Sequence, residues 1–242
     1  MPIPPSHALK LISYNVLAKS FSHHIKHTTI DHATRLALLI AQLQEWDAHI
    51  YALQESELGF LSKVASCLPH YNIHFVQRPL GKPDGLAFLI RRDVSFCSVH
   101  AFPLLFLDES QSSRCAQHLL ISLNNRIISI VHAHLSWDDQ PLPHHKGWQQ
   151  LKHLLRTLPH NTHANRILCG DWNAPRTHFL FQQVQKEGFI DAITDTPTHY
   201  GETAGIDHLV HQPGVQSSPL ELPTSFLETF SSDHLPVGIY FW

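Results

Sequence analysis

Four short stretches place acids or amides beside residues that can bind a metal or move a proton. Gly170-Asp171-Trp172-Asn173 follows the run Arg166-Ile167-Leu168-Cys169. Glycine permits a tight exit from a strand, and an Asp and an Asn two apart can face one site. The same pair also suits a helix N-cap or an Asx turn. Ser231-Ser232-Asp233-His234-Leu235-Pro236 sets a carboxylate against an imidazole, which suits one group binding metal and the other handling protons; a surface turn has the same composition. In Gly205-Ile206-Asp207-His208-Leu209-Val210 a carboxylate opens an apolar strand. A buried Asp needs a partner, and His234 is the candidate. Glu55 ends the apolar run Ile50–Leu53, where a carboxylate calls for a nearby cation.

These residues need elements to carry them. Leu9 to Tyr14 reads as a strand that delivers Asn15 at its end. Thr34 to Trp46 has helical spacing (Leu36, Leu39, Ile40, Leu43), and Ile50–Leu53 reads as a buried strand. Further strands are predicted at 71–76, 86–90, 118–123, 127–132, 166–168, 207–210 and 235–241, with Asn124-Asn125 as a hairpin turn. Helices are predicted over 147–158 and 177–187. Polar residues recur just past strand ends, so the pattern predicts two packed sheets flanked by helices with a site at one rim.

No repeat, low-complexity linker or charge block marks a second domain, and the expectation is a lead over 1–8 and one domain over 9–242. Hydrophobic residues make up 43% and charged residues 15%, enough for a core and no case for disorder. A formal charge of -3 removes the argument for non-specific clamping of a nucleic-acid backbone, leaving a local patch. The 22 histidines, several of them paired or nearly so (His23-His24, His132-x-His134, His144-His145), are expected to be mostly solvated. The four cysteines form no C-x-x-C spacing, which excludes a zinc knuckle or dithiol site and makes them core residues. Met1–Lys10 lacks the apolar stretch of a secretory signal, and no window is long and apolar enough for a membrane span. The expectation is a soluble, cytoplasmic monomer, with signal-less export also compatible.

Seven motifs fall in a fixed order: Ile12-Ser13-Tyr14-Asn15-Val16-Leu17-Ala18, Leu53-Gln54-Glu55, Asp84-Gly85-Leu86-Ala87, His134-Leu135, Gly170-Asp171-Trp172-Asn173, Ile206-Asp207 and Ser232-Asp233-His234-Leu235-Pro236. The series resembles the endonuclease/exonuclease/phosphatase superfamily over roughly residues 9 to 242. The resemblance implies a DNase I-like, four-layered α/β sandwich and Mg²⁺-dependent hydrolysis of a phosphoester by in-line attack of water, with Mn²⁺ as a substitute. It implies that Asn15, Glu55 and Asp233 form the metal side, with Glu55 the principal ligand. Asp171 and Asn173 would position the water and the phosphate. His234, oriented by Asp207, would act as base or phosphate contact, and His134 as a phosphate ligand or proton donor. His132 shares a strand face with His134 by the two-residue period and is a further pocket candidate, and Asp84 is a candidate partner for His134.

Within the superfamily, Ser13–Ala18, Asp84–Ala87 and His134-Leu135-Ser136-Trp137-Asp138 look most like the deadenylase and nocturnin branch, which implies 3′ exonuclease activity on RNA. The proline that those deadenylases carry after Trp-Asp is replaced by Asp139. Inositol polyphosphate 5-phosphatases have arginine where this chain has His208, and apurinic endonucleases an acidic residue where it has Leu17. Sphingomyelinase-like phosphodiesterases share His-Leu and Gly-Asp-x-Asn, so a lipid head group is the alternative substrate, with Phe102–Leu107 either touching lipid or forming a buried strand. A phosphatase of the same fold, a non-enzymatic binding module, and histidine-mediated metal storage, which predicts several transition-metal ions per chain regardless of Glu55, complete the alternatives. No Gly-x-Ser-x-Gly elbow supports a serine hydrolase.

Overall fold

The computed structural model describes residues 4–24, 30–158, 165–193, 197–200, 204–222 and 231–242; the side chains of His23 and His24 lie outside this set. Two six-stranded mixed sheets pack face to face. The first has the order β11 (Ser217–Pro219), β12 (Val237–Phe241), β1 (Leu9–Asn15), β2 (Ile50–Glu57), β4 (Asp84–Arg91), β3 (Tyr71–Gln77). The second runs β5 (Phe96–Leu105), β6 (Gln111–Leu123), β7 (Arg126–Ala133), β8 (Asn165–Asp171), β10 (Asp207–His211), β9 (Ile190–Asp191). Each sheet holds one parallel pair near its centre, β1 with β2 and β7 with β8. A parallel pair needs a crossover, and helices α1 (His32–Trp46) and α3 (Lys146–Thr157) supply it.

The layers follow from the two-residue period of the strands. In β1, Leu11 faces the seam between the sheets with Ile50, Phe88, Ile130 and Ile167, whereas Ile12 and Tyr14 face the opposite way, with Leu39, Leu43 and Trp46 of α1. On the far side, Val131, Ala133 and Leu168 meet Leu151 and Leu154 of α3 and Leu180, Phe181 and Val184 of α4 (Phe179–Lys186). Helix, sheet, sheet and helix give the four layers. Asp31 starts α1 by accepting from the backbone N–H of Ala33 and Thr34, and Asp47 ends it in the left-handed region.

Several expectations need correction. Helix α2 (Leu58–Cys67) has no side-chain N-cap and buries only Phe60, Leu61 and Val64, so its periodic signal is short. Strand β5 contains Pro103 and two register shifts, tolerated because it is an edge strand; Phe102 and Leu104 pack inward, so this run is a strand rather than a lipid-facing patch. Cys115 and Cys169 are buried, but Cys67 and Cys97 are exposed. Among the 17 histidines whose burial is described, ten are exposed or half-buried, and seven are buried: His118, His132, His134, His145, His208, His211 and His234. The expected Asn124-Asn125 turn is present, both residues having positive φ.

Candidate active site

Strands of both sheets end at the same rim. Asn15 closes β1 and Asp171 closes β8, His134 follows β7, Asp207 opens β10, and Asp233 and His234 lie just before β12. Glu55 sits at a register break between Leu53 and Ser56 in β2, with φ of 55°. A non-glycine residue in the left-handed region is strained, and here the strain accompanies a carboxylate turned out of the ladder. Gly170 has φ of 133°, and a Cβ there would collide with the carbonyl oxygen of Ala133. Only glycine lets β8 come this close to β7, which holds the ends bearing Asp171 and His134 side by side.

The residues form one connected network. Asn15 Nδ2 donates to Glu55 Oε1 (3.2 Å) and to Asp171 Oδ2 (3.1 Å), tying the two sheets together, while its Oδ1 accepts from Leu17 N–H. Glu55 Oε2 accepts from Ala18 N–H. Asp207 Oδ2 lies 2.8 Å from His234 Nδ1, and His234 Nε2 points toward Asp171 Oδ2 at 3.7 Å. His134 Nε2 is 3.3 Å from the same Asp171 oxygen. Asn173, with φ of 52°, donates its backbone N–H to Asp171 Oδ1 and its Nδ2 to the Leu135 carbonyl. Ser232 donates to the Asn15 carbonyl and accepts from His234 N–H, which seats the last motif against the first.

Burial dominates the electrostatics. It raises the pKa of Glu55 and of Asp171, with Asp233 adding to the first and Asp207 to the second. His234 loses proton affinity through burial, yet Asp207, Asp171 and Asp233 outweigh this and its pKa is raised. His134 moves the other way: burial, then Arg114 and Arg78, hold it well below the usual imidazole range, so it is neutral. One proton-rich and one proton-poor imidazole thus border the same carboxylate.

All eight predicted site residues except Asp233 join this network directly; Asp233 is tied to it through Ser232 and has His199 Nε2 at 3.6 Å from its Oδ2. His132 does not share the pocket. Its Nε2 lies 2.6 Å from Gln54 Nε2 in the seam between the sheets, and burial lowers its pKa to about 3. Asp84 pairs with Arg78 at 2.7 Å rather than with His134. Sequence reasoning missed Arg35, Arg114 and His199. Arg35 reaches from α1 to the carbonyls of Val16 and Ser231, which looks on paper like any helix arginine. Arg114 has a buried Nη1 without a hydrogen-bond partner among the described residues, and burial next to Arg78 lowers its pKa to about 10. His199 lies in an aperiodic stretch and reaches the rim by pairing with His234, which no local pattern announces.

A divalent cation fits these residues. Glu55, Asp171, Asp207 and Asp233 are gathered around a single proton-rich imidazole, His234, and burial, with a neighbouring carboxylate adding to it, raises the pKa of Glu55 and of Asp171. Oxygen donors of this kind suit hard ions.

A two-sheet sandwich with such a rim is the framework of the metal-dependent phosphoester hydrolases. The family profile described as Endonuclease/Exonuclease/phosphatase matches residues 12–234, and the chain belongs to that family. No curated protein sequence matches it significantly. Among solved structures, the human Nocturnin catalytic domain with bound sulfate is similar at 18% identity and a TM-score of 0.80, covering 99% of this chain and 95% of that one. ANGEL2, a 2′,3′-cyclic phosphatase, in complex with adenosine-2′,3′-vanadate is similar at 17% identity and a TM-score of 0.75, covering 97% and 95%. The mannosyl-6-phosphatase of Bacteroides thetaiotaomicron gives 20% identity, a TM-score of 0.73 and coverage of 97% and 99%. At these identities the likeness is one of fold.

Proposed function

We propose that this chain is a Mg²⁺-dependent phosphodiesterase that acts on nucleic acid, as a 3′ exonuclease on RNA. The observation that carries the chemistry is the Asp207–His234 pair facing Asp171 and His134 across one small rim. Glu55 is the principal ligand, held by Asn15 and Ala18 N–H, with Asp233 adding negative charge. A bound Mg²⁺ supplies positive charge to the phosphoryl oxygens. Asp171, fixed by Asn15 and by Asn173 N–H, orients the attacking water. His234, protonated through Asp207, and neutral His134 donate to oxygens that gain charge in the transition state. The net gain comes from donors fixed before reaction, since every one of them is anchored to a strand end.

Support for nucleic acid comes from two exposed rings on the segments that carry His134 and His199. Trp137, 67% exposed, lies three residues after His134, and Tyr200, 49% exposed, follows His199. Exposed aromatics next to a phosphate site suit stacking of unpaired bases. The loop carrying Trp137 is held by Asp138, which accepts from Lys146 N–H and Gln140 N–H. Nocturnin and ANGEL2 share the fold. A second reading, a phosphomonoesterase, is favoured by the unpartnered Arg114 Nη1, because a monoester carries one more negative charge than a diester. The test is a side-by-side panel with Mg²⁺: poly(A), mixed RNA, DNA, sphingomyelin, and p-nitrophenyl phosphate against its bis ester. Shortening of RNA from the 3′ end is expected; turnover of the monoester or the lipid alone refutes the nuclease reading.

A further inference from the structure

A group of possible ligands shares His234 with the network above but leaves out Glu55. One ligand atom from each of His199, Asp233 and His234 lies within 4.8 Å of the others. His199 Nε2 and Asp233 Oδ2 are 3.6 Å apart, long for a hydrogen bond. The spacing is near the roughly 3.4 Å between ligands of a tetrahedral ion whose bonds are about 2.0–2.1 Å. The His199 ring meets the His234 ring edge-on, with centroids 4.7 Å apart. Two imidazoles and one carboxylate are the ligand set of a borderline transition metal rather than of Mg²⁺.

The backbone builds this group in advance. His199 and His234 face each other as a β-bridge pair, with Tyr200 N–H donating to the Asp233 carbonyl and Leu235 N–H to the Thr198 carbonyl. Thr198 Oγ1 accepts from the N–H groups of Ile206 and Asp207, which fixes this bridge relative to Asp207. Asp207 in turn holds Nδ1 of His234, so that Nε2 can release its proton to solvent and take an ion in exchange, the carboxylate–histidine–metal arrangement that orients and strengthens an imidazole ligand. Side-chain exposures of 30% for His199 and 21% for Asp233 leave an entry path.

We propose that His199, Asp233 and His234 form a binding site for a transition-metal ion of the Zn²⁺ class, and that the bound ion silences hydrolysis by taking His234. The inhibitory half rests on the proposed phosphodiesterase activity; the binding half does not. The experiment is equilibrium dialysis of the chelator-stripped full chain against Zn²⁺ alone, repeated with Co²⁺ to read the ligand-field absorption of a four-coordinate site. Other histidines bind zinc weakly, so the difference between variants is what counts. The wild type is expected to hold one tight ion that His199→Ala and His199→Gln hold at least tenfold more weakly, while Glu55→Gln keeps it. Zn²⁺ is then expected to inhibit Mg²⁺-supported hydrolysis in the wild type. Absence of a tight ion overturns the proposal, as does equal binding by both His199 variants when their thermal unfolding matches the wild type. Loss of the ion in Glu55→Gln also overturns it, by moving the ion to the oxygen-rich side. Tight, His199-dependent zinc in a chain that hydrolyses no phosphoester upholds the site and refutes the proposed function instead.

Discussion

Asp207→Asn isolates one charge with almost no change of shape. Asp207 is 1% exposed and His234 is 6% exposed, and the 2.8 Å contact between them is a charge-assisted hydrogen bond shielded from water. Losing such a bond removes about 1.5–3 kcal/mol, and a unit-charge pair with centres ~4 Å apart in a medium of effective dielectric about 20 gives a comparable figure, about 4 kcal/mol. A loss of about 2–4 kcal/mol in the transition state is roughly a 30- to 1,000-fold drop in kcat. The raised pKa of His234 must fall with it, because Asp207 heads the charges that oppose its burial. The sign matters for stability as well. A histidine whose folded pKa is raised stabilises the fold fully below about pH 6.5, and that stabilisation is lost as pH rises through the folded value. In the variant this alkaline loss moves to lower pH. Hydrolysis of bis-p-nitrophenyl phosphate with Mg²⁺ reads the rate, and an NMR titration of the His234 ring reads the pKa. A variant within threefold of wild-type kcat, or an unmoved His234 pKa, refutes the reasoning.

Three further outcomes follow from the same geometry. Gly170→Ala places a Cβ against the Ala133 carbonyl at a φ of 133°; a loss of about 3 kcal/mol or more is expected, seen as a Tm lower by roughly 6–12 °C. Mg²⁺ at a hundredfold excess over its Kd is expected to stabilise the wild type by about 2.7 kcal/mol in thermal unfolding, and Glu55→Gln to lose most of that shift. Leu43→Ala empties a fully buried position between α1 and its sheet, with an expected loss of about 2–5 kcal/mol in urea denaturation and no change in metal binding.

The two-sheet architecture and the residues that it gathers at one rim were both legible in the sequence. Asn15, Glu55, Asp171 and His234 stand out because each puts a costly polar group where an apolar strand ends, and such a group needs a reason to be there. The core strands were legible through their two-residue period, and α1 through Leu36, Leu39, Ile40 and Leu43. What stayed hidden depends on three dimensions. Helix α2 buries three apolar side chains and lacks a cap, so no local rule announces it. His132 obeys the same period as His134, yet lies deeper along the seam, where Gln54 meets it. Arg114, Arg35 and His199 enter through side-chain reach or through pairing with distant segments, and no spacing in the sequence encodes either.

The route of the chain has a consequence for how activity arises. Strands β1 to β4 build most of the first sheet and β5 to β10 build the second, after which β11 and β12 return to complete the first at β1. Asp233 and His234 ride on that return. During synthesis both sheets can therefore be largely paired while the rim still lacks its proton-rich imidazole, and a fragment cut before Asp233 lacks that imidazole however well it packs. On the proposed roles, hydrolytic competence arises only after both sheets have largely formed, so a copy clipped ahead of Asp233 would not attack phosphoesters in its surroundings.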